Sequence, residues 1–380
     1  MHMKCWQQSV MQNRFFMIRR KLMPDKYLLI IYIALLIAGL LAIYGAQTLH
    51  EPNGQYFQNH LHLLIYMLVM TIFILILPDF FNLLDKIVPL LLVVTLLLLV
   101  AVLIFGITVP GSYAKRWILI ASSFTIQPSE IAKITTTIYL ASVLSKKGEK
   151  LFDFKKGLFP PLIVLLLISV LILIEPDSGT ALLFAMVGFS IFSYAGIPNK
   201  TLIISAIFLL ALFVIFVFNV PYMKSRVNAY FDPKNQSEED IYQIRRAKLA
   251  FNYGGIYGIP DENIGEISVH LPAALTDFIF ASVSQKYGLI GDIIILSLFL
   301  SFTIRGFIIS SRIKDLFLKN ISFGITIFIS LQAYLNIMVA TLMIPTTGMP
   351  LPIISYGRNA LAVNMIMFAI LLKITQRREL

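Results

Sequence analysis

Residues 86–107 read KIVPLLLVVTLLLLVAVLIFGI, and this run decides the fold class. After Lys86 it carries no charge, and threonine is its only hydroxyl. Coiled as a helix it is apolar on every face and on the order of 30 Å long, the thickness of a bilayer's hydrocarbon core. A helix of that kind belongs in a buried core or in lipid. The rest of the chain chooses between the two. Of 380 residues 58% are hydrophobic and only 13% charged, with mean hydropathy +0.82. Soluble domains run closer to half apolar and a quarter charged, so lipid is the solvent this chain needs.

Working outward from that run, nine further stretches are long and apolar enough to be considered spans. In order, the ten are 27–46, 59–77, 86–107, 127–145, 157–174, 179–196, 201–220, 283–304, 321–344 and 359–374. The fold expected is an all-α polytopic integral membrane protein of about ten transmembrane helices. The first run is followed by no small-residue cleavage site and reads as a signal anchor. The domain reading is a tail over 1–26, one transmembrane domain over 27–374 and a second tail over 375–380.

Charge orients the helices. The chain carries +11 net, and most of its basic residues fall in the first tail, the even-numbered loops and the last tail. There Lys146, Lys147, Lys150, Lys155 and Lys156 form one cluster, Arg305, Arg312, Lys314 and Lys319 another, and Lys373, Arg377 and Arg378 a third. The positive-inside rule then puts both termini in the cytoplasm. No basic stripe persists within a folded segment, so nucleic acid is not the expected partner. The single cysteine, Cys5, excludes an intrachain disulfide and a thiol metal site. One loop is out of scale: 221–276, between helices seven and eight, lies outside the cytoplasm in this topology. Its aromatic and glycine punctuation predicts a folded cover rather than a linker.

Polar residues inside or beside the spans are functional candidates by default. Glu130 and Lys133 follow Gln127-Pro128-Ser129, three apart on one helical face, where they can pair. They read either as a structural ion pair or as the polar wall of a headgroup site. Glu175-Pro176-Asp177-Ser178-Gly179 leaves almost no loop between two spans. Its acids either cap the next helix or contribute to a site. Lys115 and Arg116 precede Trp117 on the side that should carry few cations, which suits an anionic ligand as well as an interfacial anchor. Asp277, in Leu271-Pro-Ala-Ala-Leu-Thr-Asp-Phe-Ile-Phe-Ala281, opens the eighth helix, either as an N-cap or as a general base or metal-linked carboxylate in a partly desolvated site. The Pro/Gly-rich stretch from Pro345 to Asn359 cannot form a regular helix. It reads as a re-entrant or outer loop lining a cavity.

These motifs occur together and in order in one family. The chain resembles the SEDS proteins (shape, elongation, division and sporulation), typified by FtsW and RodA. The resemblance rests on Lys115-Arg116-Trp117, on Gln127-Pro128-Ser129-Glu130 with Lys133, and on Glu175 through Gly179. It continues with Arg226 and Asp232-Pro233, Gly254-Gly255 with Gly258, Thr276 through Phe280, and Gly348 through Gly357 with Ser355 and Tyr356. It implies a peptidoglycan glycosyltransferase that polymerises lipid II at the outer face of the bacterial cytoplasmic membrane. The wording of 245–255 looks slightly closer to the division branch than to elongation. A class B penicillin-binding protein, other division or elongation proteins and membrane lipids are the implied partners. No cofactor is required, and a divalent cation could share the charge of the leaving pyrophosphate. The family's essential acid falls on Asp277. Lys115, Arg116, Glu130, Lys133, Glu175, Asp177, Arg226 and Ser355 are the expected substrate-binding residues.

The chain departs from the family's pattern near Asp277. An acid and a histidine are commonly found where Ala273 and Leu275 stand, acids where Gln285 and Lys286 stand, and glycine and serine where Arg358 and Asn359 follow Gly357. Two other readings therefore stay open: a lipid II flippase, and a catalytically weakened scaffold for a penicillin-binding protein.

Overall fold

A computed structural model of the chain describes residues 24–108, 114–121, 124–219, 224, 228, 230–231, 238–260, 262 and 271–377. Eleven α-helices occur among them. They are α1 (Lys26–His50), α2 (Tyr56–Ile76), α3 (Phe80–Phe105), α4 (Pro128–Ser145), α5 (Phe159–Ile174) and α6 (Ser178–Tyr194). They continue with α7 (Asn199–Asn219), α8 (Glu238–Gly254), α9 (Ile279–Arg312), α10 (Leu316–Ala340) and α11 (Arg358–Gln376). Seven helices are long and apolar enough to cross a membrane, the π-helical turn Phe154–Leu158 being counted with α5. α6 and part of α7 are shorter apolar helices. α4 is not among the seven.

Its sequence gives the reason. α4 carries Glu130, Lys133 and three consecutive threonines, and nearly all of it is buried. It sits inside the bundle against α3 and α10. α2 and α3 do the opposite. They leave Tyr66, Ile72, Ile76, Leu97 and Ile104 well exposed, an apolar outer surface suited to lipid.

Helix ends follow local chemistry. The Asp25, Asp177 and Asp315 carboxylates accept main-chain N–H bonds at the starts of α1, α6 and α10, satisfying donors that a helix cannot pair internally. Pro128 occupies the first turn of α4, where its missing N–H costs nothing.

Three expectations are corrected. The chain is not wholly helical: β1 (Ile118–Ala121) and β2 (Phe124–Ile126) form an antiparallel hairpin between α3 and α4, extended by a bridge from Ile107 to Trp117. β-Branched and aromatic residues here are too few to span and pair instead. The eighth span begins earlier than 283 and is broken. α9 runs from Ile279 to Arg312 with Gly288 at φ 66°, ψ −165°, so a short inner segment, 279–287, precedes the long one. Nor does Asp277 cap it. The helix starts at Ile279, and the capping position is Phe278, with no side-chain bond.

The loop expected over 221–276 contains α8, which packs on α9. Ala247 and Ala250 meet Leu271, Ala274, Phe278 and Ala281 in a small apolar cluster of their own. Much of the loop, and most of both tails, lie outside the described residues.

Candidate functional site

Asp277 is half-buried in a turn, Leu271–Phe278, that is held by its carbonyl oxygens. Ala273 O accepts from Thr276 N at 3.0 Å and Phe278 N at 3.1 Å. Ala274 O accepts from Ser282 Oγ at 2.9 Å, and Leu275 O from Tyr356 N at 2.8 Å. Thr276 O accepts from Ser355 Oγ at 2.7 Å. Asp277 O accepts from Asn336 Nδ2 at 2.9 Å. Five consecutive carbonyls are thus satisfied, three of them from α10 or the 345–357 loop. Ala273 takes φ 52° to make this possible, a left-handed conformation that costs a residue with a Cβ roughly 1–2 kcal/mol.

The 345–357 segment is non-helical, as its prolines require, and is pinned from both sides. Ser355 Oγ accepts from Leu351 N at 2.8 Å while it donates to Thr276. Asn336 donates to Met349 O at 2.7 Å as well as to Asp277 O. One helical turn earlier, Gln332 Nε2 donates to Pro350 O at 2.8 Å, and its Oε1 accepts from Lys133 Nζ at 2.8 Å. Lys133 closes the chain on Glu130 Oε1 at 2.7 Å. Two amides of α10 therefore join Glu130 and Lys133 to the Asp277 turn. The sequence reading singled out neither Gln332 nor Asn336. The signal was available: two amides four apart in a span share one face, and in lipid such a pair must find partners.

The Glu175–Gly179 turn joins the same loop by contact. A Cβ on Gly179 would lie 2.6 Å from Thr347 Cβ and 2.8 Å from Thr347 O, so only glycine lets the two backbones meet. Arg116 is buried and committed to this turn. Its Nε donates to Glu175 O at 3.2 Å, one terminal nitrogen donates to Pro176 O, and the other pairs with Asp177 Oδ2 at 3.4 Å. Asp177 also caps α6 through Thr180 N at 3.2 Å. The capping reading of this acid therefore describes a real contact, and the ion pair with Arg116 is a second one.

Several acceptors remain unspent. Both Glu175 oxygens, Glu130 Oε2, Asn336 Oδ1 and Thr347 Oγ1 are buried with no hydrogen-bond partner among the described residues. Glu175 is 1% exposed. Burial pushes its carboxyl up to about 8, Asp177 beside it adds to the rise, and Arg116 pulls back. At neutral pH Glu175 is therefore mostly a neutral acid that can donate as well as accept.

Among the predicted site residues, Glu130 and Lys133 join Asp277 and Ser355 in one hydrogen-bonded chain. Arg116, Glu175 and Asp177 form a second cluster that reaches this chain through Thr347. Lys115 stands exposed beside Arg116. Arg226 lies outside the described residues.

The cover is fixed by glycines. A Cβ on Gly254 would fall 2.0 Å from Ser284 O, and one on Gly288 2.3 Å from Ile256 O. Ile259 N donates to Gln285 O at 3.0 Å, and Leu289 N to Gly255 O at 2.9 Å. The end of α8 and the kink of α9 thus share main-chain bonds, and α8 lies against the Asp277 turn.

Comparison with known proteins gives this arrangement a lineage. The probable peptidoglycan glycosyltransferase FtsW of Geobacter sulfurreducens is 33% identical over 283 residues, 72% of this chain and 75% of its own length. The protein so named in Nitrosomonas europaea is 35% identical over 284 residues, 73% and 72% of the two chains. Among solved structures, a chain of a peptidoglycan synthase complex that coordinates polymerization and crosslinking superposes with TM-score 0.76. It is 24% identical and is matched over 98% of its length and 93% of this chain. The rod shape determining protein RodA of Thermus thermophilus gives TM-score 0.68 at 22% identity, over 97% and 93% of the chains. At those identities the two structures speak for the fold. Residues 26–380 match the FtsW, RodA and SpoVE cell cycle protein model, and the chain belongs to that family.

Proposed function

We propose that this protein is a peptidoglycan glycosyltransferase that polymerises lipid II at the outer face of the bacterial cytoplasmic membrane, in cell division. The observation that carries the reading is the hydrogen-bonded chain from Glu130 and Lys133 through Gln332 and Asn336 to the Asp277 turn. Near it lie buried oxygens with no hydrogen-bond partner among the described residues. Buried polar atoms in proteins are nearly always partnered, so a set of unspent acceptors beside a half-buried carboxylate suits a polar ligand. The FtsW relatives name the activity.

The proposed topology places ten helices across the membrane, α1–α7 and α9–α11, with both termini inside. The chain between α7 and α9, including α8, then lies outside. A sugar hydroxyl of one lipid II attacks the anomeric carbon of another. The new glycosidic C–O bond forms as the bond to the lipid pyrophosphate breaks, and Asp277 takes the hydroxyl proton. Lys115 and Arg226 are the cations assigned to the leaving pyrophosphate. Arg116, spent on the Glu175–Asp177 turn, positions that turn instead. Glu130, Lys133, Glu175, Asp177 and Ser355 shape the polar wall. The chain works with a class B penicillin-binding protein, in keeping with the synthase complex that shares its fold.

Glycan formation from lipid II, by the purified chain with its cognate penicillin-binding protein, tests this. Asp277→Asn should lose polymerisation while staying folded and keeping its partner. Continued synthesis by that variant would remove Asp277 from the chemistry.

A further inference from the structure

At the end of the bundle opposite Asp277, the turn between α2 and α3 meets the last turn of α11. Leu77, Pro78, Asp79, Phe80 and Phe81 on one side and Lys373, Gln376 and Arg377 on the other line an open cavity of about 180 Å³. That is room for roughly six waters at their liquid volume, enough for a phosphate group and the first carbons of a glycerol. One wall is apolar and aromatic. The other presents two cations, Lys373 in the last turn of α11 and Arg377 in the extended residue that ends it. Asp79 offsets only one of them.

Both cations are held in place by their stems. Lys373 Nζ donates to Leu75 O at 2.5 Å, at the carbonyl end of α2, where a cation is favoured. That bond uses one of its three donors. The Arg377 guanidinium stacks over the Phe81 ring at 5.2 Å from its centre, which leaves its edge donors open. Arg377 is exposed and Lys373 half-buried. The two like charges repel, and an anion between them removes that repulsion. The apolar wall continues onto the exposed faces of α2 and α3, so an anion bound here can keep an attached tail in lipid.

We infer that this cavity binds the phosphodiester headgroup of an anionic phospholipid. Basic pockets between helices at the cytoplasmic ends of membrane proteins take such headgroups, and the proposed topology places this one in the inner leaflet. The site is independent of the glycosyltransferase reading, since no residue in it touches the Asp277 network. Lipid selectivity in detergent is also independent of which way the helices run.

The test uses the full chain, delipidated in detergent and titrated with phosphatidylglycerol, phosphatidylcholine or inorganic phosphate, with bound species read by native mass spectrometry. Wild type should prefer phosphatidylglycerol to phosphatidylcholine. Each charge removed should cost about five-fold in that affinity, so Arg377→Gln gives about five-fold and Lys373→Gln with Arg377→Gln about 25-fold. Arg377→Lys should keep most of it, and phosphatidylcholine binding should not move. Should the double variant fail to fold, Arg377→Gln decides alone, because an exposed side chain can be changed without loss of core. Equal affinity of wild type for the two lipids, or undiminished phosphatidylglycerol binding by the variants, overturns the site. Displacement of phosphatidylglycerol by equimolar inorganic phosphate overturns the lipid as its ligand.

Discussion

Asn336→Asp changes almost no volume and should nearly abolish polymerisation. Asn336 Nδ2 is the shared donor to Asp277 O at 2.9 Å and Met349 O at 2.7 Å. Aspartate in the same rotamer has only acceptors to offer, so an anionic oxygen would face two carbonyl oxygens. Each carbonyl left without its donor costs about 1–3 kcal/mol, or roughly 2–6 kcal/mol for the pair, before the cost of burying the new charge. The turn and the 345–357 loop must separate to relieve this. A displacement near 1 Å at a catalytic group is worth on the order of 10²-fold in rate. The assay is steady-state glycan synthesis from lipid II, with thermal unfolding recorded on the same preparations. We expect kcat to fall by about 100-fold or more, since Asn336 holds the main chain of Asp277 in place. Asn336→Ala, which leaves space for a water to donate instead, should fall between the two. A folded Asn336→Asp protein with the kcat of wild type would refute the argument that this amide sets the position of Asp277.

Gly254→Ala and Gly288→Ala should each loosen the cover, because their new Cβ atoms meet Ser284 O and Ile256 O at 2.0 and 2.3 Å. Faster proteolysis within 253–260 would report it, and wild-type resistance in both variants would count against the clasp. Arg116→Lys replaces three directed donors by a single ammonium and should cost about 2–4 kcal/mol, read as a lowered Tm in detergent. Glu175→Gln tests the buried acid. With its carboxyl raised from 4.5 to about 8, the folded protein keeps a proton that the unfolded chain releases. Wild-type stability therefore falls as pH rises from about 4.5 to about 8, by at most roughly 1.4 kcal/mol per unit. The glutamine variant lacks that loss, so its Tm relative to wild type should rise between pH 5 and pH 8. Parallel Tm curves would mean that Glu175 is ionised in the fold.

Hydropathy alone made the helical membrane fold legible, because a run such as 86–107 has no other stable home. The ion pair of Glu130 with Lys133 was equally readable from spacing, as was the non-helical course of 345–357 from its prolines. Three features were not. The kink at Gly288 is set by main-chain bonds from 255–259, and no local pattern in Gln285-Lys-Tyr-Gly-Leu289 announces a partner forming thirty residues away. The hairpin at 118–126 is six paired residues beside strong helix signals. Arg116 looked like a cation offered to a ligand. Its three acceptors come from a turn about sixty residues on, and pairing at that separation is a tertiary fact.

The departures around Asp277 look different once the turn is seen to be built from its main chain. An acid and an imidazole absent at Ala273 and Leu275 would matter structurally if their side chains shaped the turn. Instead Ala273 O takes two main-chain donors, and Leu275 O takes the amide of Tyr356. Any residue supplies those carbonyls. The side-chain donors come from Ser282, Asn336 and Ser355, and these are the positions where a substitution removes a bond outright. The exposed side chain at 273 is thereby released to vary, at the price of a strained Ala273, while Leu275 packs in the main apolar core. The same reasoning separates two questions that the sequence leaves joined. Whether Asp277 is correctly placed depends on α10 and the 345–357 loop, and both are intact here. How its proton affinity is tuned depends on neighbouring side chains, and those are what this chain has changed. A divergent pH profile with preserved catalysis is the outcome this division favours over loss of activity, and Ala273→Glu, at an exposed position, should shift that profile without moving the turn.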